Sequence, residues 1–177
     1  MSSEFLIRRI PKNAHFVLDN VTEFAKQGGF MNTSSTITKR KPIDPKDAYI
    51  LVVEDNVSNF VLIARLLAFM GVQKCEWKTT GWGVVEFANT MPRVDLILMD
   101  LGLPHEDGYE ALQQVRANAH LKDTLVVVVT AQGSVAEMQK ARHAGFDGFI
   151  AKPLDADRFP DQIDRILNGE PVWDLGM

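Results

Sequence analysis

The sequence feature that most constrains the fold is an apolar run that stops on one carboxylate. Residues 96–99 read Leu-Ile-Leu-Met with no polar alternation, which is typical of a strand covered on both faces in a parallel sheet. Asp100 follows at once, and Gly102 and Pro104 indicate a tight loop after it. Ligands bind at the carboxyl ends of such strands, so Asp100 is a candidate for chemistry. The alternative is an aspartate that only caps the next helix.

Three further apolar runs also end on polar residues. They are 49–53 before Glu54-Asp55, 125–129 before Thr130-Ala131, and 146–150 before Lys152-Pro153. Helical periodicity between the runs predicts an alternation of strand and helix, and therefore a parallel α/β sheet with helices on both faces. Because the carboxyl ends of parallel strands share one edge, these acids, the hydroxyl and the amine are expected to meet there.

Apolar stripes at helical spacing predict the buried faces of four helices. The stripes are Val57, Phe60, Val61, Ala64, Leu67 and Ala68; Ala111, Leu112 and Val115; Val135, Met138, Ala141 and Ala144; and Phe159, Ile163, Ile166 and Leu167. A weakly marked strand at 75–78 and a short helix at 84–89 complete five strands and five helices. Gly71 is expected to end the first helix.

Charge divides the chain into two parts. Residues 1–46 hold eight Lys/Arg and four Asp/Glu, net +4, whereas residues 47–177 hold eleven and nineteen, net −8. We expect an N-terminal extension or linker at 1–46 with one possible short helix at 13–27, a folded domain at 47–170, and a tail at 171–177. The acidic body argues against direct nucleic-acid binding, which needs a basic face.

The sequence also bears on location and redox chemistry. No run approaches the roughly 18 apolar residues of a membrane span, and no signal peptide opens the chain. We therefore expect a cytoplasmic protein without membrane contact. Cys75 is the only cysteine, so no internal disulfide forms, and we expect a buried thiol in a short strand.

The pattern of residues at and near the strand ends resembles that of the receiver domain of two-component response regulators over about residues 47–169. The matching positions are Glu54-Asp55, Asp100 followed by Leu103-Pro104 and Asp107-Gly108, Thr130-Ala131, Phe149, and Lys152-Pro153. Intervals of 45, 30 and 22 residues separate Asp55, Asp100, Thr130 and Lys152, which suits that family. The resemblance implies a flavodoxin-like fold: a doubly wound α/β domain with a five-stranded parallel sheet in the order 2-1-3-4-5 and five helices, preceded by the N-terminal extension.

Three carboxylates at one sheet edge require a nearby positive charge. Two unit charges about 4 Å apart repel by about 4 kcal/mol at an effective dielectric of 20. Lys152 or a divalent cation would offset this repulsion, and an all-oxygen site suits magnesium. The resemblance implies that Asp55 and Asp100 are direct ligands, that Glu54 acts mainly through water, and that the Gly102 carbonyl completes the set. A structural cluster of solvated caps is the alternative.

With a metal bound, Asp100 can act as a nucleophile toward phosphorus and form an acyl phosphate. The Lys152 ammonium, the Thr130 hydroxyl, and backbone amides near Gly102 and Ala131 would hold the phosphoryl oxygens. The resemblance also implies a readout, in which Thr130 moves and Phe149 enters the space that it leaves. Many family members have Tyr at this position, and a plain core role for Phe149 is the alternative.

The resemblance implies a stand-alone phosphorylation switch rather than an enzyme, apart from self-phosphorylation and autodephosphorylation at Asp100. A histidine kinase or phosphotransfer protein would phosphorylate it. A downstream effector protein, or a second copy in a homodimer, would bind the fourth helix, fifth strand and fifth helix. No DNA-binding domain is expected after the last helix. A phosphate-independent docking receiver is one alternative. A phosphatase of the haloacid dehalogenase type is another, disfavoured because Gly102 stands where that family has a second acid.

Overall fold

The computed structural model describes residues 41–104 and 108–176. The possible helix at 13–27 and Asp107 of the expected loop lie outside the described residues. After a 3-10 turn at Pro45–Asp47, the elements in chain order are β1 (Tyr49–Val53), α1 (Val57–Phe69), β2 (Lys74–Lys78), α2 (Val84–Ala88), β3 (Leu96–Met99), α3 (Gly108–Ala117), β4 (Leu125–Thr130), α4 (Val135–Ala144), β5 (Gly148–Ala151), α5 (Phe159–Leu167) and β6 (Trp173–Asp174).

The strands form one parallel sheet in the order β2-β1-β3-β4-β5-β6. The flavodoxin-like order 2-1-3-4-5 is therefore confirmed. The expectation of five strands was wrong by one, because Trp173–Asp174 pairs with β5. A strand of two residues shows no alternation in the sequence, so only its contacts with β5 reveal it.

Two hydrophobic cores cover the two faces of the sheet. In β3, Ile97 and Met99 face the core that α2, α3 and α4 cover, while Leu96 and Leu98 face the core under α1 and α5. Burial on both faces explains why this strand has no polar residue. Within the described residues, no helix is long and apolar enough to cross a membrane.

The expected buried faces are confirmed for α3 and α5 and corrected for α1 and α4. Every residue of the α3 and α5 stripes is buried. In α4 only Ala141 of the expected stripe is buried, and Val135 is exposed. Met138 is only partly buried against the core, so most of α4 lies in solvent.

The buried face of α1 matches the predicted stripe only in part, at Leu67 and at the partly buried Phe60. Its buried residues are Ile63, Leu66 and Leu67, whereas Val57 and Val61 are exposed. Ten of its thirteen residues are apolar, so periodicity alone does not identify the face that packs on the sheet. The helix ends as expected at Gly71, whose φ of +92° suits glycine.

Candidate functional site

Three acids meet at the carboxyl edge of the sheet. Val53 lies opposite Met99 in the β1–β3 register, so Glu54 and Asp100 follow the two strands at the same level. One oxygen from each of Glu54, Asp55 and Asp100 lies within 4.8 Å of the others. Glu54 is 1% exposed and Asp100 is 7% exposed, while Asp55 is exposed to solvent. Two buried charges thus sit beside a third that water reaches.

Lys152 supplies a positive charge to this cluster. Its Nζ donates to Glu54 Oε2 at 2.6 Å and to Asp100 Oδ2 at 2.5 Å. The backbone brings it there, since Thr130 pairs with Ala151 and the Lys152 N–H donates to the Thr130 carbonyl at 2.8 Å. Such charge-assisted hydrogen bonds offset the repulsion between the two buried carboxylates.

Two further side chains hold the Glu54 loop, and the sequence analysis missed both. Asn59 Nδ2 donates to Glu54 Oε1 at 2.9 Å, and the Trp77 indole N–H donates to the Glu54 carbonyl at 2.8 Å. The Trp77 ring stacks on Phe60 with a centroid separation of 4.4 Å. The position of Asn59 in the first helical turn after the acid pair could have indicated its contact with Glu54 from the sequence. The contact of Trp77 with Glu54 depends on the register between β1 and β2, which the sequence does not show.

The remaining predicted site residues lie at the same carboxyl edge of the sheet as Asp100. The Gly102 N–H donates to Asp100 Oδ1 at 2.7 Å, so both carboxylate oxygens have partners. The Thr130 hydroxyl is buried at the end of β4 and accepts the Gln132 N–H at 3.2 Å. Ala131 is exposed in the loop that follows. All these residues lie at the same edge of the sheet.

The donor set fits a hard divalent cation. The three carboxylates offer oxygen ligands only, which magnesium prefers. Magnesium–oxygen distances of about 2.1 Å place opposite ligands about 4.2 Å apart, and the carboxylate oxygens already lie within a comparable span. The Lys152 ammonium contacts two of these three acids, Glu54 and Asp100, so it would share them with a bound cation.

Phe149 and Cys75 lie within strands of the sheet. Phe149 is fully buried in β5, and its N–H donates to the Val172 carbonyl at 2.7 Å. Cys75 is half-buried in β2, where burial and, less strongly, the charge of Glu76 raise the pKa of its thiol to about 11. The thiol therefore stays protonated and weakly nucleophilic at neutral pH.

Comparison with known proteins identifies the class. A family model described as the response regulator receiver domain matches residues 50–164. The chain belongs to this family, whose members are generally signalling switches of two-component systems rather than enzymes.

The relatives include both kinases and free-standing regulators. The signal transduction histidine-protein kinase BarA of Shigella flexneri is 35% identical over 123 residues, which is 70% of this chain and only 13% of the length of BarA. The polar-differentiation response regulator DivK of Brucella anthropi is 30% identical over 118 residues, covering 67% of this chain and 94% of DivK. The chain thus matches most of the length of DivK and a small part of BarA.

A solved structure shows the same fold with a metal. The receiver domain of the sensor histidine kinase PA1611 from Pseudomonas aeruginosa is 29% identical, with a TM-score of 0.60 over 70% of this chain and 98% of that one. That structure has a magnesium ion coordinated in its active site cleft.

Proposed function

We propose that this chain is a magnesium-dependent phosphorylation switch that accepts a phosphoryl group on Asp100 from a histidine kinase or phosphotransfer protein. The observation that carries the proposal is the contact of Asp100 with Lys152 beside a three-carboxylate cluster. A nucleophilic carboxylate, a cation to meet the phosphoryl oxygens and an oxygen-rich metal site are the parts that phosphoryl transfer needs.

In the transfer step, one oxygen of Asp100 forms a bond to phosphorus while the bond from phosphorus to the donor histidine nitrogen breaks. The electron pair of the broken bond stays on the imidazole. Lys152 and the Thr130 hydroxyl hold phosphoryl oxygens, and amides near Gly102 and Ala131 add donors. Asp55, Asp100 and the Gly102 carbonyl, with Glu54 acting mainly through water, would hold a magnesium ion, which would screen the negative charge on the incoming group.

The phosphorylated protein transmits its signal by binding another protein. We propose that Thr130 and Phe149 rearrange together after phosphorylation and change the surface formed by α4, β5 and α5. A downstream effector in the cytoplasm, or a second copy of the chain, binds that surface. The net charge of −8 over residues 47–177 disfavours nucleic acid as the partner.

The direct test is incubation with acetyl phosphate, followed by intact mass measurement. With magnesium we expect a gain of one phosphoryl group, and with a chelator we expect none, because the incoming anion then meets unscreened acids. No gain under either condition contradicts the proposal and favours a docking receiver that takes no phosphate.

The exposed side of α1 fits the phosphodonor protein. Val57, Val61 and Leu62 are all exposed, and α1 begins just after the acid pair. Apolar side chains beside a polar site favour a docked protein surface. We propose that the donor helix packs here and brings its histidine to Asp100.

Val61→Glu should therefore slow transfer from a phosphorylated histidine-containing protein about tenfold, because a charge in an apolar contact costs roughly 1.4 kcal/mol or more. Acetyl phosphate, which needs no docking, should react at the rate of wild type. Phe69→Ser is the matched control: Phe69 is 85% exposed on the same helix, about 12 Å further along the helix axis than Val61. Equal slowing with both donors would place the effect in the site rather than in docking.

A further inference from the structure

β6 occupies the sheet edge between α4 and α5. Phe149 pairs with Trp173 and Ile150 with Asp174, and the Phe149 N–H donates to the Val172 carbonyl at 2.7 Å. A Cβ at Gly148 would lie 2.8 Å from that carbonyl oxygen, so glycine is required for this close approach. The edge is built to receive a strand.

The side chains of this strand alternate between the two neighbouring helices. Trp173 lies on the α4 side, with its ring centroid 5.4 Å from the Arg142 guanidinium. Asp174 lies on the α5 side, where it accepts hydrogen bonds from Gln162 Nε2 at 2.6 Å and from Arg158. An aromatic residue and a carboxylate thus each meet a cationic partner.

The buried glutamine of α5, Gln162, donates a hydrogen bond to the Asp174 carboxylate. It is 7% exposed and lies on the buried apolar face of that helix beside Ile163. A buried amide without a partner is destabilising by roughly 1–3 kcal/mol. Asp174 provides an acceptor for this amide, so an acid at the sheet edge gives the polar residue on this face a structural reason.

We propose that the β5 edge is a binding groove for an extended effector strand in which an aromatic residue precedes a carboxylate, and that residues 172–175 fill this groove in cis. The proposal rests on the proposed function in taking the α4–β5–α5 face as the output surface. The effector binds by strand addition to β5 and displaces β6. Two paired residues anchor β6 to the sheet, which makes it the shortest strand of the described chain and suits exchange.

A labelled peptide tests the groove. The probe is a fluorescein-labelled peptide with the sequence of residues 170–176, titrated into unphosphorylated full-length protein by fluorescence anisotropy. A variant with Trp173→Ala and Asp174→Ala is called the opened chain, because its own β6 is weakened. The opened chain should bind the peptide at least tenfold more tightly than wild type does. A peptide carrying Asp174→Asn should bind that chain at least tenfold more weakly. Glu170→Gln in the chain is the control, since it removes an acid outside the strand and should match wild type.

Failure of the opened chain to bind, while it still folds and accepts a phosphoryl group from acetyl phosphate, overturns the groove and leaves the proposed function intact. Equal binding to opened and wild-type chains also overturns it, because the peptide then binds elsewhere. If the opened chain does not fold, hydrogen exchange on wild type decides. We expect the Phe149 amide, which bonds to the strand, to exchange at least tenfold faster than the Val128 amide of β4. Equal exchange rates would mean that β6 leaves only on global unfolding, and would refute displacement.

Discussion

Asp100→Asn will take up no phosphoryl group from acetyl phosphate and magnesium, with the rate reduced at least about 1,000-fold. The amide keeps the shape of the side chain, and its oxygen can still accept the Gly102 N–H. It lacks the negatively charged oxygen that attacks phosphorus as the nucleophile. Intact mass and peptide mapping are the measurements.

The control for this prediction is Asp161→Asn, an exposed acid on α5 that should be phosphorylated like wild type. Asp100→Asn also removes one of three close negative charges, so we expect a folded protein by circular dichroism. A gain of one phosphoryl group in Asp100→Asn would mean that another residue is the acceptor.

Lys152→Met will lower the free energy of unfolding by about 3 kcal/mol when no divalent cation is present. The substitution leaves the buried Glu54 and Asp100 carboxylates without the ammonium that contacts both of them. Added magnesium should recover much of the loss, because a ligand at 100 times its dissociation constant stabilises the folded state by about 2.7 kcal/mol. Urea unfolding with and without magnesium measures both quantities.

Lys140→Met is the matched control for that loss. Lys140 is an exposed lysine on α4 whose Nζ lies 3.7 Å from Glu137 Oε1 and 4.0 Å from the centroid of the Tyr109 ring, and removal of these surface contacts should cost no more than about 1 kcal/mol. If Lys152→Met costs no more than this control, the two buried carboxylates do not depend on the lysine. If magnesium stabilises wild type and Lys152→Met equally, the cation does not take over the role of the Lys152 charge.

The sequence by itself determined the central strands of the sheet and the polar residues at their carboxyl ends. Central parallel strands are buried on both faces, so they appear as uninterrupted apolar runs, and the polar residue that ends each run marks the carboxyl edge. This local signal was enough to predict β1, β3 and β4 and to select Asp100, Thr130 and Lys152 as neighbours.

Only the tertiary structure decided which face of α1 is buried, that β6 forms, and that Lys152 bridges Glu54 and Asp100. A helix that is apolar on nearly every side, as α1 is, carries no periodic signal for the face that packs. A two-residue strand has no period at all, and its place depends on Gly148 and Gln162, which are distant in the sequence. Local pattern encodes how a residue is covered, whereas the identity of the covering group depends on which segments fold together.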